Sequence, residues 1–321
     1  MKGKILSCGG YLPKTKLTND DLVKIKNVDT SDEWIYTRTG IRQRFILEDG
    51  LKVTDMALEA SLIALEGIEG IDGIIFATST QDLAFPSSAC ILQRKLREAG
   101  KNVNGFAFDV IAACAGFVHA VVIANSMIKS GLAKKILVIG ADIVSKILNW
   151  EERETCVLFG DGAGAIVIEA VPESDVSGII DGKLMADGDL GSILKTNGGI
   201  VDRDEKLQIE MKGKEVFVHA VKKMSESIEE LISKNNITKQ DVDLVIAHQA
   251  NVRILEAVAK TLEMPLEKFV VTIDRHANTS AASIPLALWE TLKEDKIKRG
   301  DTIIFEALGG GLVWGGVLLK W

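Results

Sequence analysis

The stretch "DVIAACAGFVHA", residues 109–120, sets a single cysteine, Cys114, among alanines where an apolar run gives way to a helical pattern. A thiol there is either a small hydrophobe filling a core or a nucleophile. The second reading has a physical basis, because a helix N-terminus carries free N–H groups and partial positive charge, which favour the thiolate. Small neighbours (Ala112, Ala113, Ala115, Gly116) leave room for a reacting molecule to approach.

A nucleophile needs partners at neighbouring strand ends. His119 lies five positions along the cysteine helix, about 140° around it, and points elsewhere. His219, in "EVFVHAVKKM", reads as helix packing. His248 stands at the end of the strand pattern "DLVIA", where α/β sheets place ligands. His276 and Asn278 lie in "DRHANTSAAS", between a strand pattern and a helix, and Asn278 also suits a turn or cap. Position alone leaves His248 and His276 as alternatives. "LGGGLVWGG" near the C-terminus is either a tight bend or a source of exposed backbone N–H groups for an oxyanion.

These residues need a frame, and the chain supplies alternating strands and helices. "DGIIFATST", "GFAFDVIAA", "KKILVIGAD" and "GAIVIEAV" are apolar runs rich in branched residues. After "VPESDVSG" the rhythm restarts with "DLVIAHQAN", "KFVVTID", "DTIIFEALGGG" and "GGVLLKW" as strands, interleaved with "VRILEAVAKTLEM" and "SIPLALWETLKED" as helices. The expectation is an α/β chain of two similar halves, 1–173 with the cysteine and 174–321 with the histidine and asparagine, sharing one body. Gly131 is expected to end the cysteine helix as its C′ residue. Cys8 in an opening strand, Cys90 in "SSACILQRKLREAG" and Cys156 in "TCVLFGDG" read as packing residues. "GDGAGA" precedes a strand, so it is a poor dinucleotide fingerprint.

Composition narrows the classes. The 321 residues are 47% apolar and 26% charged with a net charge of −7, which argues against a nucleic-acid binder. No apolar stretch reaches the ~18 residues of a membrane span, and the opening "MKGKILSCGGYLP" is not a secretory signal. A cytoplasmic enzyme is expected. Four scattered cysteines make no metal-ligand spacing, so neither zinc nor disulfides are expected.

Taken together, "DVIAACAGF", "FGDGAGA", "IAHQANVRI", "ANTSAASIP" and "EALGGGLVWGG" resemble the β-ketoacyl-acyl carrier protein synthase III family of thiolase-like condensing enzymes. "DEWIYTRTGIRQR" and "LAFPSSAC" extend the likeness from near residue 30 to the C-terminus. The resemblance implies a five-layered thiolase-like fold and a catalytic set of Cys114, His248 and Asn278, with His276 a neighbour. It implies an oxyanion hole from the backbone N–H groups of Cys114 and Gly310. The reaction it implies takes an acyl group from acyl-CoA onto the thiol and condenses it with malonyl-acyl carrier protein, with no cofactor beyond the CoA thioester substrate and no metal. The alternative is a thiolase-like acyltransferase of secondary metabolism with a different acceptor.

Further positions follow from the same likeness. Trp34 and Arg153 match a pair that sandwiches the CoA adenine, and Arg38 and Asn251 match contacts to the rest of CoA. Phe85 matches a residue that bounds the acyl pocket across a homodimer interface. Arg253 and Lys260, seven apart on one helix face, with Lys214 and Lys212, form a basic patch suited to an acidic carrier protein or simply a solvated face. One departure stands out: relatives usually carry glycine before the asparagine, and here it is Ala277. A left-handed backbone at that position strains an alanine.

Overall fold

The computed structural model describes residues 1–26, 28–201 and 206–321. The first half contributes strands β1 (Lys2–Tyr11), β2 (Thr15–Thr18), β3 (Gln43–Ile46), β4 (Ile71–Ala77), β5 (Val103–Val110), β6 (Lys135–Asp142) and β7 (Gly162–Val171). Its helices are α1 (Asn19–Lys26), α2 (Asp32–Thr39), α3 (Val53–Ala64), α4 (Ser88–Glu98), α5 (Gly116–Lys129) and the short α6 (Arg153–Cys156). The second half contributes β8 (Gly178–Ala186), β9 (Leu194–Thr196), β10 (Ile209–Met211), β11 (Leu244–Ala247), β12 (Thr302–Gly309) and β13 (Val313–Lys320). Its helices are α7 (Gly213–Lys234), α8 (Val252–Thr261), the short α9 (Ile273–His276) and α10 (Ser283–Lys293).

Two main sheets result, in the orders β1-β7-β6-β4-β5 and β8-β13-β12-β11. In the first, β4 runs parallel to β5 and β6, while β7 is antiparallel to β6 and β1. In the second, β11 is parallel to β12, and β13 is antiparallel to β12 and β8. The two plans coincide strand for strand except at one place. Where the first sheet has β5, the second has only a parallel bridge between Val245 and Phe269. The strand expected from "KFVVTID" therefore does not form beyond that bridge. Gln249 explains it: its side chain donates to Val270 O at 3.0 Å and accepts from Thr272 N at 2.9 Å, taking backbone groups that a strand would offer its neighbour.

Layering follows from which faces are apolar. α5 is apolar over most of its circumference, with Ser126 and Lys129 exposed toward its end, the pattern of a helix buried between layers. Its Phe117, Val121 and Ala124 pack with α10 between Ile75 and Val138 of the first sheet and Ile246 and Phe305 of the second. Met56 and Leu92, from α3 and α4, cover the outer face of the first sheet. Ile228 and Leu255, from α7 and α8, cover the outer face of the second. Both sheets are thus buried on both faces, which is why their strands read as continuous apolar runs. The order α/β/α/β/α matches the layered architecture expected of the chain.

The helix ends fall where the residue types place them. Gly131 takes the left-handed conformation (φ 79°) and its N–H donates to Ile128 O, closing α5. Cys156 is buried and Cys8 partly so, but Cys90 is exposed. That corrects its reading as a packing residue: on α4 the inward positions are taken by Ala89, Leu92 and Leu96. Among the described residues, no helix is long and apolar enough to cross a membrane.

Candidate active site

The chain leaves β5, turns at Ala113 (φ 44°), and presents Cys114 at the head of α5. The left-handed turn lets the chain pass from strand to helix within the five residues 111–115. Cys114 is 9% exposed. Its thiol lies 3.5 Å from the hydroxyl of Ser280. The hairpin between β12 and β13 comes so close to this turn that a Cβ on Gly309 would stand 2.6 Å from the Cys114 amide nitrogen. Only glycine tolerates that approach, and it carries Gly310 to the same cavity as Cys114.

Desolvation pushes the Cys114 pKa up to about 12, opposed first by the hydrogen bond from Ser280, with the Asp142 carboxylate raising it further and the cysteine's own amide lowering it. Burial thus opposes the ionisation that the N-terminus of α5 favours.

His248 follows the last residue of β11 and Asn278 follows α9, and both are buried. Both line the cavity of about 1600 Å³ that Cys114 and Gly310 line. His248 Nδ1 lies 2.6 Å from Ser283 Oγ, and burial lowers its pKa to about 4, so the ring is neutral near pH 7. Asn278 Oδ1 accepts the backbone N–H of Ser280 at 2.9 Å. That bond occupies the amide oxygen and leaves the NH2 group as the donor end. Phe159 pairs with Asn278 in a parallel bridge, and Gly160 N donates to Asn278 O at 3.0 Å, so the "FGDGAGA" segment clamps this loop.

His276 is buried too, but its Nε2 lies 3.9 Å from Glu290. It does not line the cavity, whereas His248 does. Ala277 has φ 59° and ψ −162°, a region that side chains rarely adopt, so the strain foreseen for an alanine there is present.

Three site groups had no assigned role in the sequence reading: Asp142, Ser280 and Ser283. Asp142 ends β6, and its carboxylate accepts from Ser79 N at 2.7 Å and from Thr78 and Thr80 hydroxyls on the first half. It also accepts from Ala281 N at 3.2 Å on the second. It therefore pins the two halves together beside the thiol. A charged residue closing the apolar run "KKILVIGAD" was the signal that could have found it.

The outer cavity carries the nucleotide-type features. Arg38 and Arg153 each place a guanidinium 4.6 Å from the Trp34 ring. Trp34, Arg38, Asn251 and Lys214 line the cavity, whereas Arg153 does not and donates to Asp29 O at 2.8 Å. Asn251 caps α8, accepting from Arg253 N at 2.9 Å. Arg253 reaches across to α2 and donates to Thr37 O at 2.7 Å, while Lys260 stands exposed at the other end of α8. Lys212 sits 3.8 Å from Glu215. Phe85 is 85% exposed, which excludes a core role. It does not line its own chain's cavity, although Leu83 and Ala84 do.

Two like sheets stacked about a shared helix layer, with a thiol, an imidazole and an amide opening on one cavity, place the chain in the thiolase-like class. The family model described as 3-oxoacyl-[acyl-carrier-protein] synthase III matches residues 108–188, and the model of that family's C-terminal part matches residues 232–321. A beta-ketoacyl-[acyl-carrier-protein] synthase III of Wolbachia pipientis is 51% identical over 325 residues, covering 100% of this chain and 99% of that protein. The solved 3-oxoacyl-[acyl-carrier-protein] synthase III of Aquifex aeolicus is 48% identical with a TM-score of 0.91, covering 99% of this chain and 100% of the other. Its counterpart from Pseudomonas aeruginosa is 38% identical with a TM-score of 0.93, covering 100% and 98%. The chain belongs to the beta-ketoacyl-[acyl-carrier-protein] synthase III family, and it is a condensing acyltransferase.

Proposed function

We propose that the chain joins an acyl-CoA to malonyl-acyl carrier protein through an acyl-Cys114 intermediate, giving 3-oxoacyl-acyl carrier protein, CoA and CO2. The observation that carries this reading is the convergence of Cys114, His248 and Asn278 on one cavity. In the first half-reaction the Cys114 sulfur attacks the acyl-CoA carbonyl, the C–S bond to CoA breaks, and the thiol proton leaves with CoA. The backbone N–H groups of Cys114 and Gly310 stabilise the oxyanion. In the second, the malonyl C–CO2 bond breaks and charge develops on the thioester oxygen. His248 and Asn278 donate to that oxygen, and the resulting enolate carbon displaces Cys114 from the acyl group. A thiolate suits both steps, since it is a good nucleophile and a good leaving group.

The remaining assignments rest on position. Trp34, Arg153, Arg38 and Asn251 receive CoA, with the indole and a guanidinium as stacking planes for adenine. Arg253, Lys260 and Lys214 meet the acidic carrier protein at the rim. The halves 1–173 and 174–321 each supply one main sheet, which supports their division. The open edge of β5, beside exposed Leu83, Phe85 and Ile111, supports a homodimer in which Phe85 bounds the partner's acyl pocket. The cytoplasm is the compartment that holds such substrates. Transfer to a different acceptor is not favoured, because relatives matching the whole chain are named beta-ketoacyl-[acyl-carrier-protein] synthase III.

The test is an incubation with acetyl-CoA and carboxyl-labelled malonyl-acyl carrier protein. One labelled CO2 and one CoA per 3-oxoacyl product are expected. Acyl transfer without release of label would overturn the reading.

A further inference from the structure

The donor role of His248 raises a question of protons. A neutral imidazole carries one N–H, and which nitrogen holds it is set by the bond the other nitrogen makes. With burial holding the ring neutral near pH 7, His248 can donate through Nε2 only if Nδ1 is bare and accepts a hydrogen bond. The only group bonded to Nδ1 among the described residues is the hydroxyl of Ser283, at 2.6 Å.

The hydroxyl has a second acceptor within reach, Ser280 O at 2.9 Å. That carbonyl also accepts the backbone N–H of Ser283, and its two lone pairs can take both donors. On its other side the Ser283 oxygen lies 3.4 Å from the backbone N–H of Gln249, which can fill one of its lone pairs. A hydroxyl that accepts from Gln249 and donates to the imidazole leaves every group in the cluster satisfied. A hydroxyl turned to Ser280 O gives that carbonyl a second donor and forces His248 into the opposite tautomer. Ser283 itself is 2% exposed, so water does not compete for it.

We propose that Ser283 is the positioning residue that fixes His248 as its Nε2–H tautomer, by donating its hydroxyl hydrogen to Nδ1 from the first turn of α10. The inference rests on the reading of His248 as a donor in the second half-reaction. It gives the "ANTSAAS" segment a divided labour. Asn278 is oriented by the Ser280 amide, Cys114 is touched by the Ser280 hydroxyl, and His248 is oriented by Ser283. One short segment therefore sets the hydrogen-bonding sense of all three groups.

The experiment is long-range proton–nitrogen NMR on the full-length protein labelled with nitrogen-15 histidine, with His248 assigned by its loss in His248→Ala. The native protein is expected to show a bare Nδ1 and a protonated Nε2. A protonated Nδ1 overturns the proposal. In Ser283→Ala the signal should move toward the other tautomer, and decarboxylation of a malonyl thioester should fall about tenfold or more. Acylation of Cys114 by acetyl-CoA should change much less, and Ser283→Thr, which keeps the hydroxyl, should restore both readouts. An unchanged tautomer in Ser283→Ala also overturns it. A bare Nδ1 in the native protein with equal losses in both half-reactions supports the tautomer and overturns the donor role of His248 instead.

Discussion

The turn that presents Cys114 and the turn that presents Asn278 occupy the same slot in the two halves. Each follows the position of the last parallel strand, and each enters a short 3-10 stretch on a residue with positive φ (Ala113 at 44°, Ser280 at 51°) before a helix of the shared middle layer, the second turn carrying a further positive φ at Ala277 (59°). They differ in what precedes them. The first is fed by a full strand, β5, and the second by a single bridge at Phe269 followed by α9. The first therefore aims a reactive atom along a rigid element, with open backbone N–H groups beside it. The second is held by side-chain and backbone bonds from Leu158, Gly160 and Ser280, and it offers a donor. One architectural slot serves opposite chemical ends, a nucleophile in one half and a hydrogen-bond donor in the other.

Exchanging chemistry at the two turns separates them. Cys114→Ser should lower the condensation rate by about 10³-fold or more, because a hydroxyl is a far weaker nucleophile near neutral pH. A steady-state rate close to that of the unmodified protein would remove Cys114 from the mechanism. Asn278→Ala and His248→Ala should each lower malonyl decarboxylation by about 10²-fold, while acetylation of Cys114 is affected less. Measured separately in single turnovers, a loss confined to acetylation would make His248 the base for the thiol and erase the contrast between the halves.

Backbone strain gives a smaller, purely structural comparison. Ala277→Gly should raise stability by about 1 kcal/mol, since glycine adopts φ 59°, ψ −162° freely. Ala113→Gly should gain less, because a left-handed turn costs an alanine only about 1 kcal/mol before glycine's own entropy is subtracted. Denaturant melts of both variants check the order, and a larger gain at Ala113 would contradict it.

The mildest effect is on pH. His248 and His276 have folded pKa values of about 4, held down by burial, against 6.5 in an unfolded chain. Groups buried neutral stabilise the fold above the unfolded value, and this contribution is lost as pH falls from about 6.5 to 4. The melting temperature should decline across that window, and His276→Gln should shallow the decline without touching the cavity.

How much of this was legible in the sequence differs between the same two turns. Around Cys114 an apolar strand, small residues and a helical pattern follow in unbroken order, and local rules place the thiol correctly. Around Asn278 the pattern "KFVVTID" reads as a strand, because its branched residues obey the propensity while the Gln249 side chain, distant in sequence, takes the backbone bonds. Burial was the other blind spot. Helix-end electrostatics suggested an easily ionised thiol, but the layer that closes over Cys114 comes from the β12–β13 hairpin and the 280–283 segment, more than 150 positions away. The alanine at 277 was legible through the family likeness, which places a glycine before the asparagine, and the positive φ there bears out the strain.

The central claim, that Cys114 carries the acyl group, is most directly tested by mass spectrometry of the whole protein and its peptides after mixing with acetyl-CoA alone. One acetyl group on the peptide containing Cys114, with an equal amount of free CoA, is the predicted result. Stable acetylation at Cys8, Cys90 or Cys156 instead, or CoA release with no modified peptide, would contradict it.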